Sequence, residues 1–224
     1  MSNLYRTLCI FLLIIGCFTT ANAALVVPGG LNPGDKYHVI FVTSNVLSAT
    51  SANISPYDSF VQSTADAAGI GGSINWLAVG STADGTNAIS HVGALFSDTS
   101  NIPIYNQNGD LVSASFNGLW DGGLDSAVGY DQFGNPISTS VWTGTNSNGS
   151  GSGGFQLGSS SASFGNSTAI TGSWINVSTA NNTSSFSIYA MSQELTAVPV
   201  PAAVWLFGSG LLGIAGVARY KKPA

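Results

Sequence analysis

Three runs decide the fold class: Tyr37-His38-Val39-Ile40-Phe41-Val42-Thr43, then Ser55-Pro56-Tyr57-Asp58-Ser59-Phe60-Val61-Gln62-Ser63-Thr64-Ala65-Asp66-Ala67-Ala68-Gly69, then Ile74-Asn75-Trp76-Leu77-Ala78-Val79. The first is β-branched and aromatic and stops at Ser44, which reads as a strand. In the second, Tyr57, Phe60, Val61, Thr64, Ala65 and Ala68 fall on one face at helical spacing. Ser55 is placed to cap this helix, Pro56 suits its first turn, and Gly69 ends it. Asp58 and Asp66 fall on the wet side, Asp58 also facing the positive helix end. The third run is a second strand.

Outward from there the chain reads as short strands and turns. Asp84-Gly85 is a turn. Residues 104–112 form a hairpin with Asn108-Gly109 at its bend. Val141 to Thr145 is a short strand. The Gly, Ser and Asn of residues 146–163 predict a mobile surface loop. Phe186 to Met191 is the final strand, and Thr196-Ala197 opens a linker. No long-period repeat is present. The fold class is therefore α+β, mostly β, with one clear helix at about 55–68. Trp76, Trp120, Trp142 and Trp174 sit in apolar surroundings, which assigns at least three of them to the core.

Composition narrows function. Of 224 residues, 44% are hydrophobic and only 7% charged, with Lys and Arg together numbering 5 and a net charge of −5. That excludes a charge-solvated disordered chain and argues against nucleic-acid binding. The 28 glycines have no three-residue period, so the chain is not collagen-like.

Both ends read as delivery segments. Arg6, an apolar run from Leu8 to Phe18, and Ala21-Asn22-Ala23 form a secretory signal over residues 1–23, cut by signal peptidase after Ala23. A rival cut exists, because Ile14-Ile15-Gly16-Cys17 resembles a lipobox that would lipidate Cys17. With the first cut, Cys9 and Cys17 both leave, and the remaining body holds no cysteine for a disulfide, zinc-thiolate site or nucleophile. At the other end, Val198-Pro199-Val200-Pro201 precedes a charge-free run over 202–218. That run has about the minimum length for a membrane-crossing helix. The basic end over 219–222, with Arg219, Lys221 and Lys222, should stay cytoplasmic.

This Pro-rich, apolar, then basic pattern over residues 198–224 resembles a PEP-CTERM sorting signal, with Val-Pro-Val-Pro in place of Pro-Glu-Pro. The resemblance implies recognition by an exosortase in the inner membrane of a Gram-negative bacterium. Transient membrane anchoring there, tail removal, and delivery to the outer surface or an exopolysaccharide matrix would follow.

Residues 24–197 are the exported body. All ten acids lie there against Lys36 alone, a formal charge of −9. Polyanions are disfavoured partners unless a cation bridges. The order of a strand ending in Val-Thr-Ser, a helix with Ala-Asp-Ala-Ala-Gly (65–69) and a Trp-Leu-Ala strand (76–78) resembles bacterial C-type-lectin-like and endostatin-like surface domains. Leu119-Trp120-Asp121-Gly122, Val141-Trp142-Thr143-Gly144-Thr145 and Ile188-Tyr189-Ala190 before Glu194 extend the likeness. Those domains usually carry cysteines near the helix and the final strand, where this chain has Thr64 and Ala190.

No Walker loop, nucleophile elbow, His-Glu-x-x-His or EF-hand loop is present. His38 reads as a half-buried structural histidine and His91 as a loop or strand-edge residue. Glu194 is the only Glu, so paired-carboxylate hydrolysis has no evident second partner. Asp121, Asp125 and Asp131, with Asn135 nearby, lie in a Gly-rich stretch. Flexible loops of Asp, Asn and carbonyls can supply the about six to eight oxygens calcium takes, although Asp-Gly and Asn-Gly pairs equally make plain turns. Six Asn-x-Ser/Thr triplets, at Asn53, Asn148, Asn166, Asn176, Asn181 and Asn182, suit a hydrated neutral surface. The expectation is a non-enzymatic exported protein of the cell surface or biofilm matrix. A calcium-dependent lectin and a secreted hydrolase are the alternatives.

Overall fold

The structure is a computed structural model, and it describes residues 25–198. Its strands are β1 (Lys36–Val42), β2 (Leu47–Ser48), β3 (Trp76–Ala78), β4 (Ile104–Asn106), β5 (Leu111–Ser113), β6 (Ser140–Trp142), β7 (Ser161–Asn166), β8 (Ser178–Asn181), β9 (Ser185–Ser192) and β10 (Leu195–Thr196). The helices are α1 (Ser55–Ala68), α2 (Ala88–Gly93) and α3 (Phe116–Leu119), with a 3-10 turn at Gly172–Trp174. The fold is α+β and mostly sheet, with one long helix. The secretory signal expected over residues 1–23 and the sorting signal from residue 199 on, including the 202–218 span, lie outside the described residues. Among the described residues no helix is long and apolar enough to cross a membrane.

The sheet runs β5-β4-β1-β9-β6-β7-β8. Strand β9 is its centre. Its later half pairs antiparallel with β1 (Phe41 opposite Ala190) and with β3 (Ala78 opposite Ala190), one on each edge. Its earlier half pairs with β2 and, in parallel, with β6. Pairing on both edges leaves few of its ladder groups free, and six of its eight residues are buried.

Because side chains alternate along a strand, each central strand feeds two cores. Tyr37, Val39, Phe41, Ile188 and Ala190 point to one side, where Tyr57, Val61, Ala65 and Ala68 of α1 cover them. Ile40, Val42, Tyr189 and Met191 point to the other, under Val92, Phe116, Leu119, Trp120, Trp174 and Ile175. The result is a sheet filled on both sides. All four tryptophans named above are buried, three at 1% exposure or less and Trp120 at 7%. The indole of Trp142 donates to the Leu47 carbonyl (3.0 Å).

Helix α1 forms where the spacing places it, and Gly69 ends it in the left-handed region (φ 82°). Its start differs from the sequence reading. Ser55 is already inside the helix, and the Asn53 side chain accepts from the Ser55 amide instead (2.9 Å). The Asn108-Gly109 hairpin is present, with Gly109 at φ 89°.

Two segments depart from expectation. Residues 146–160 are a largely surface-facing loop, but a tied one rather than a mobile one. Leu157 is fully buried, its amide donates to the Ser81 carbonyl (2.9 Å), and the segment runs into strand β7. Gly149, at φ 79°, lies so close to Trp120 that a Cβ there would come within 2.9 Å of the indole. Thr196 and Ala197 are not linker either. Thr196 pairs with Lys36, Ala197 is buried, and its carbonyl accepts from the Gly34 amide (2.8 Å). The end of the body is therefore tied to the start of β1.

Candidate functional site

Both histidines are committed to neighbours. His38, on β1, is fully buried rather than half-buried. Its ring stacks on Phe96 (centroids 3.7 Å apart), and Nδ1 lies 2.8 Å from the Ser192 carbonyl. A carbonyl can only accept, so Nδ1 carries the proton and Nε2 holds the lone pair. Nε2 has no partner among the described residues. Burial pushes the imidazole below its ordinary pKa, outweighing the Ser192 carbonyl and the Glu194 charge.

His91 is not a loop residue. It sits on α2, and its Nε2 lies 3.0 Å from Asp58 Oδ1. The same carboxylate oxygen accepts from the Ala78 amide (2.9 Å). Asp58 thus corrects the wet-face assignment: it joins α1, β3 and α2 from a half-buried position. An Asp–His contact of this kind orients an imidazole, as in acid–base sites. It lacks a nucleophilic hydroxyl bonded to the other ring nitrogen among the described residues.

Glu194 binds Lys36 (2.6 Å) and accepts from the Ser97 hydroxyl (2.5 Å) and amide (3.2 Å). Partial burial alone would raise its carboxyl, but the Lys36 and Ser97 donors prevail and hold it below the usual range. Lys36 is half exposed, so the bridge is an exposed tie of small energetic weight.

The calcium candidates are not brought together. Asp121 and Asp125 are exposed and line one depression of about 430 Å³, beside Ser113, Ser115 and Gly118. Asp121 already accepts from the Gly123 amide (3.2 Å). Asp131 does not line that depression. Its Oδ1 accepts from the Phe133 and Asn135 amides (2.9 Å each), and Oδ2 from Asn135 Nδ2 (3.3 Å). It closes its own turn, and Asn135 is its donor rather than a fellow ligand. Among the described residues no three His, Cys, Asp or Glu side chains converge on a metal-sized space.

A second depression, of about 550 Å³, escaped the sequence reading. Asn146, Ser147 and Asn148 form one wall, and Thr171, Ser173 and Asn176 the other. It holds no ionisable group, which is why a search for chemistry-bearing residues passes over it.

No protein-family model and no curated protein matches the chain.

Proposed function

We propose that this is an exported, non-enzymatic protein of the cell surface or extracellular matrix, whose body is delivered by the two segments outside it. Signal peptidase removes residues 1–23. An exosortase recognises the Val198–Pro201 motif, the apolar run and the basic end, and the inner membrane holds the chain only in transit. The observation that carries the reading is how the body closes on itself. Ala197 accepts from Gly34 and donates to the Asp35 carbonyl (2.8 Å each), which ties the end of the body to the start of β1, and residues 25–198 fill two cores among themselves. A C-type-lectin-like architecture is the finer form of the proposal. The pairing of first and last strands, the single long helix after the first strand and the buried tryptophans support it. Thr64 and Ala190, where the resembled domains carry cysteines, are both buried, so packing takes the place of cross-links.

A surface that is acidic but rich in Ser, Thr and Asn suits a hydrated, neutral polymer matrix such as an exopolysaccharide. Mass spectrometry of native material, fraction by fraction, tests the proposal. Material in the envelope or medium that starts at Ala24 and lacks the basic end supports it. Full-length chain confined to cytosolic extracts overturns it. The Asp58–His91 contact favours one second reading, a secreted hydrolase. A broad ester, peptide and glycoside screen decides that, with activity lost in His91→Ala as the result in its favour.

A further inference from the structure

We infer that the cleft between residues 146–148 and 171–176 is a binding site for a neutral saccharide chain, a step that rests on the matrix-facing reading above and gives it a contact surface. The cleft is of a size to take one or two sugar rings, at about 550 Å³. Its side-chain polar groups are carboxamides and hydroxyls only. Such groups match the paired donors and acceptors of vicinal diols. They carry no positive charge to balance a phosphate, sulfate or carboxylate, and the acidic body around them repels all three.

The walls are held in place before any ligand arrives. Asn146 Nδ2 donates to the Gly151 carbonyl (3.0 Å) and Ser150 Oγ (3.3 Å), while its Oδ1 accepts from Asn176 Nδ2 across the cleft (3.3 Å). That fixes both amides and leaves Asn176 Oδ1 as an acceptor. Asn148 Oδ1 is used by the Ser150 hydroxyl (2.6 Å) and amide (3.1 Å), which leaves its Nδ2 as a donor. One wall thus presents a fixed donor and the other a fixed acceptor. Ser147 and Ser173 add hydroxyls that make no hydrogen bond among the described residues. The backbone behind them is tied as well: Gly149 donates to the Asn146 carbonyl (2.9 Å) and Asn176 to the Gly172 carbonyl (3.1 Å). Beneath lie Trp174, fully buried, and Trp120. Groups ordered in advance lose little entropy on binding. No aromatic ring lines the cleft, so each contact is weak and retention depends on a repeating polymer.

Affinity electrophoresis of the full chain in native gels tests this, with dextran, galactomannan or xyloglucan as neutral probes and polygalacturonate as the acidic one. The expected result is retardation by at least one neutral polymer and none by polygalacturonate. Ser173→Ala removes a hydroxyl the fold does not use, and Asn148→Asp keeps the oxygen that Ser150 needs while replacing the free donor with an anion. Each should weaken retardation about tenfold, the worth of a lost hydrogen bond, with an unchanged melting temperature. Retardation should survive a calcium chelator, since the cleft holds no carboxylate. The inference is overturned by a chain that migrates freely in all three neutral gels, by variants retarded as strongly as the parent, by a preference for polygalacturonate, or by retention that the chelator abolishes. None of these results bears on where the protein is delivered, so the delivery proposal stands or falls separately.

Discussion

Acid should weaken this fold through His38. The ring is fully buried, donates to the Ser192 carbonyl through Nδ1, and leaves Nε2 without a partner. Protonating Nε2 would bury a cationic N–H with nothing to receive it, so burial holds the folded pKa below its ordinary value near 6.5. The unfolded chain has no such penalty. As pH falls through about 6.5 the unfolded state takes up a proton that the folded state refuses, and stability drops. The loss begins at the unfolded pKa and stops growing once pH passes below the folded one. Its limiting slope is about 1.4 kcal/mol per pH unit, or about 3–5 °C of melting temperature per unit for a domain of this size. Calorimetry of the parent and of His38→Phe at pH 7.5, 6.5 and 5.5 measures it. Phenylalanine keeps the stack on Phe96 but cannot titrate. It forfeits about 1 kcal/mol at neutral pH for the lost Ser192 contact, and should then lose less than the parent on acidification. Identical pH slopes for the two proteins would refute the reasoning. So would a parent that gains stability between pH 7.5 and 5.5.

Four further outcomes follow from the packing. Gly165→Ala places a Cβ against the Trp174 carbonyl oxygen and 2.8 Å from Ile175 Cα, so urea melts should show a loss of about 1–3 kcal/mol or more. Asp58→Ala strips the Ala78 amide and His91 of their shared acceptor and should cost about 1–3 kcal/mol; Asp58→Asn, whose oxygen can still serve Ala78, should recover part of it by the same assay. Trp174→Ala empties the meeting point of Trp120 and Tyr189, with rings 5.8 and 5.4 Å away, for a loss of about 3–5 kcal/mol in chemical denaturation. Added calcium should leave the calorimetric melting temperature of the full chain unchanged. A rise that Asp121→Asn abolishes would show that Asp121 and Asp125 recruit a cation after all.

The parts legible in the sequence were those where apolar periodicity is strong. Strand β1, helix α1 and strand β9 are built from Val, Ile, Phe, Tyr and Ala at spacings that only one element satisfies, and they are also the centre of the fold. Strand β7 was hidden because Ser161-Ala162-Ser163-Phe164-Gly165-Asn166 has the composition of a loop. Its buried hydroxyl is acceptable only because the core supplies partners: Ser163 Oγ donates to Ser152 Oγ (2.8 Å), and the neighbouring Thr143 hydroxyl donates to the Ile175 carbonyl (2.5 Å). Such pairings join residues 11 and 32 positions apart, and no local pattern announces them. Asp58 misled for the same reason, since periodicity reports the face of a helix but not the amide of a distant strand aimed at it. The neutral cleft was invisible because Asn and Ser are read as turn formers, and its two walls come from segments about 30 residues apart in sequence, as the Asn146–Asn176 contact measures.

The contact of Gly34 with Ala197 acts as a staple on the tail of the body. Strand β10 is two residues long, and beyond it only Ala197 reaches the core. A chain shortened after Gln193 loses the pairing and that buried methyl together, so it should melt earlier and be nicked sooner by proteases around Gly34.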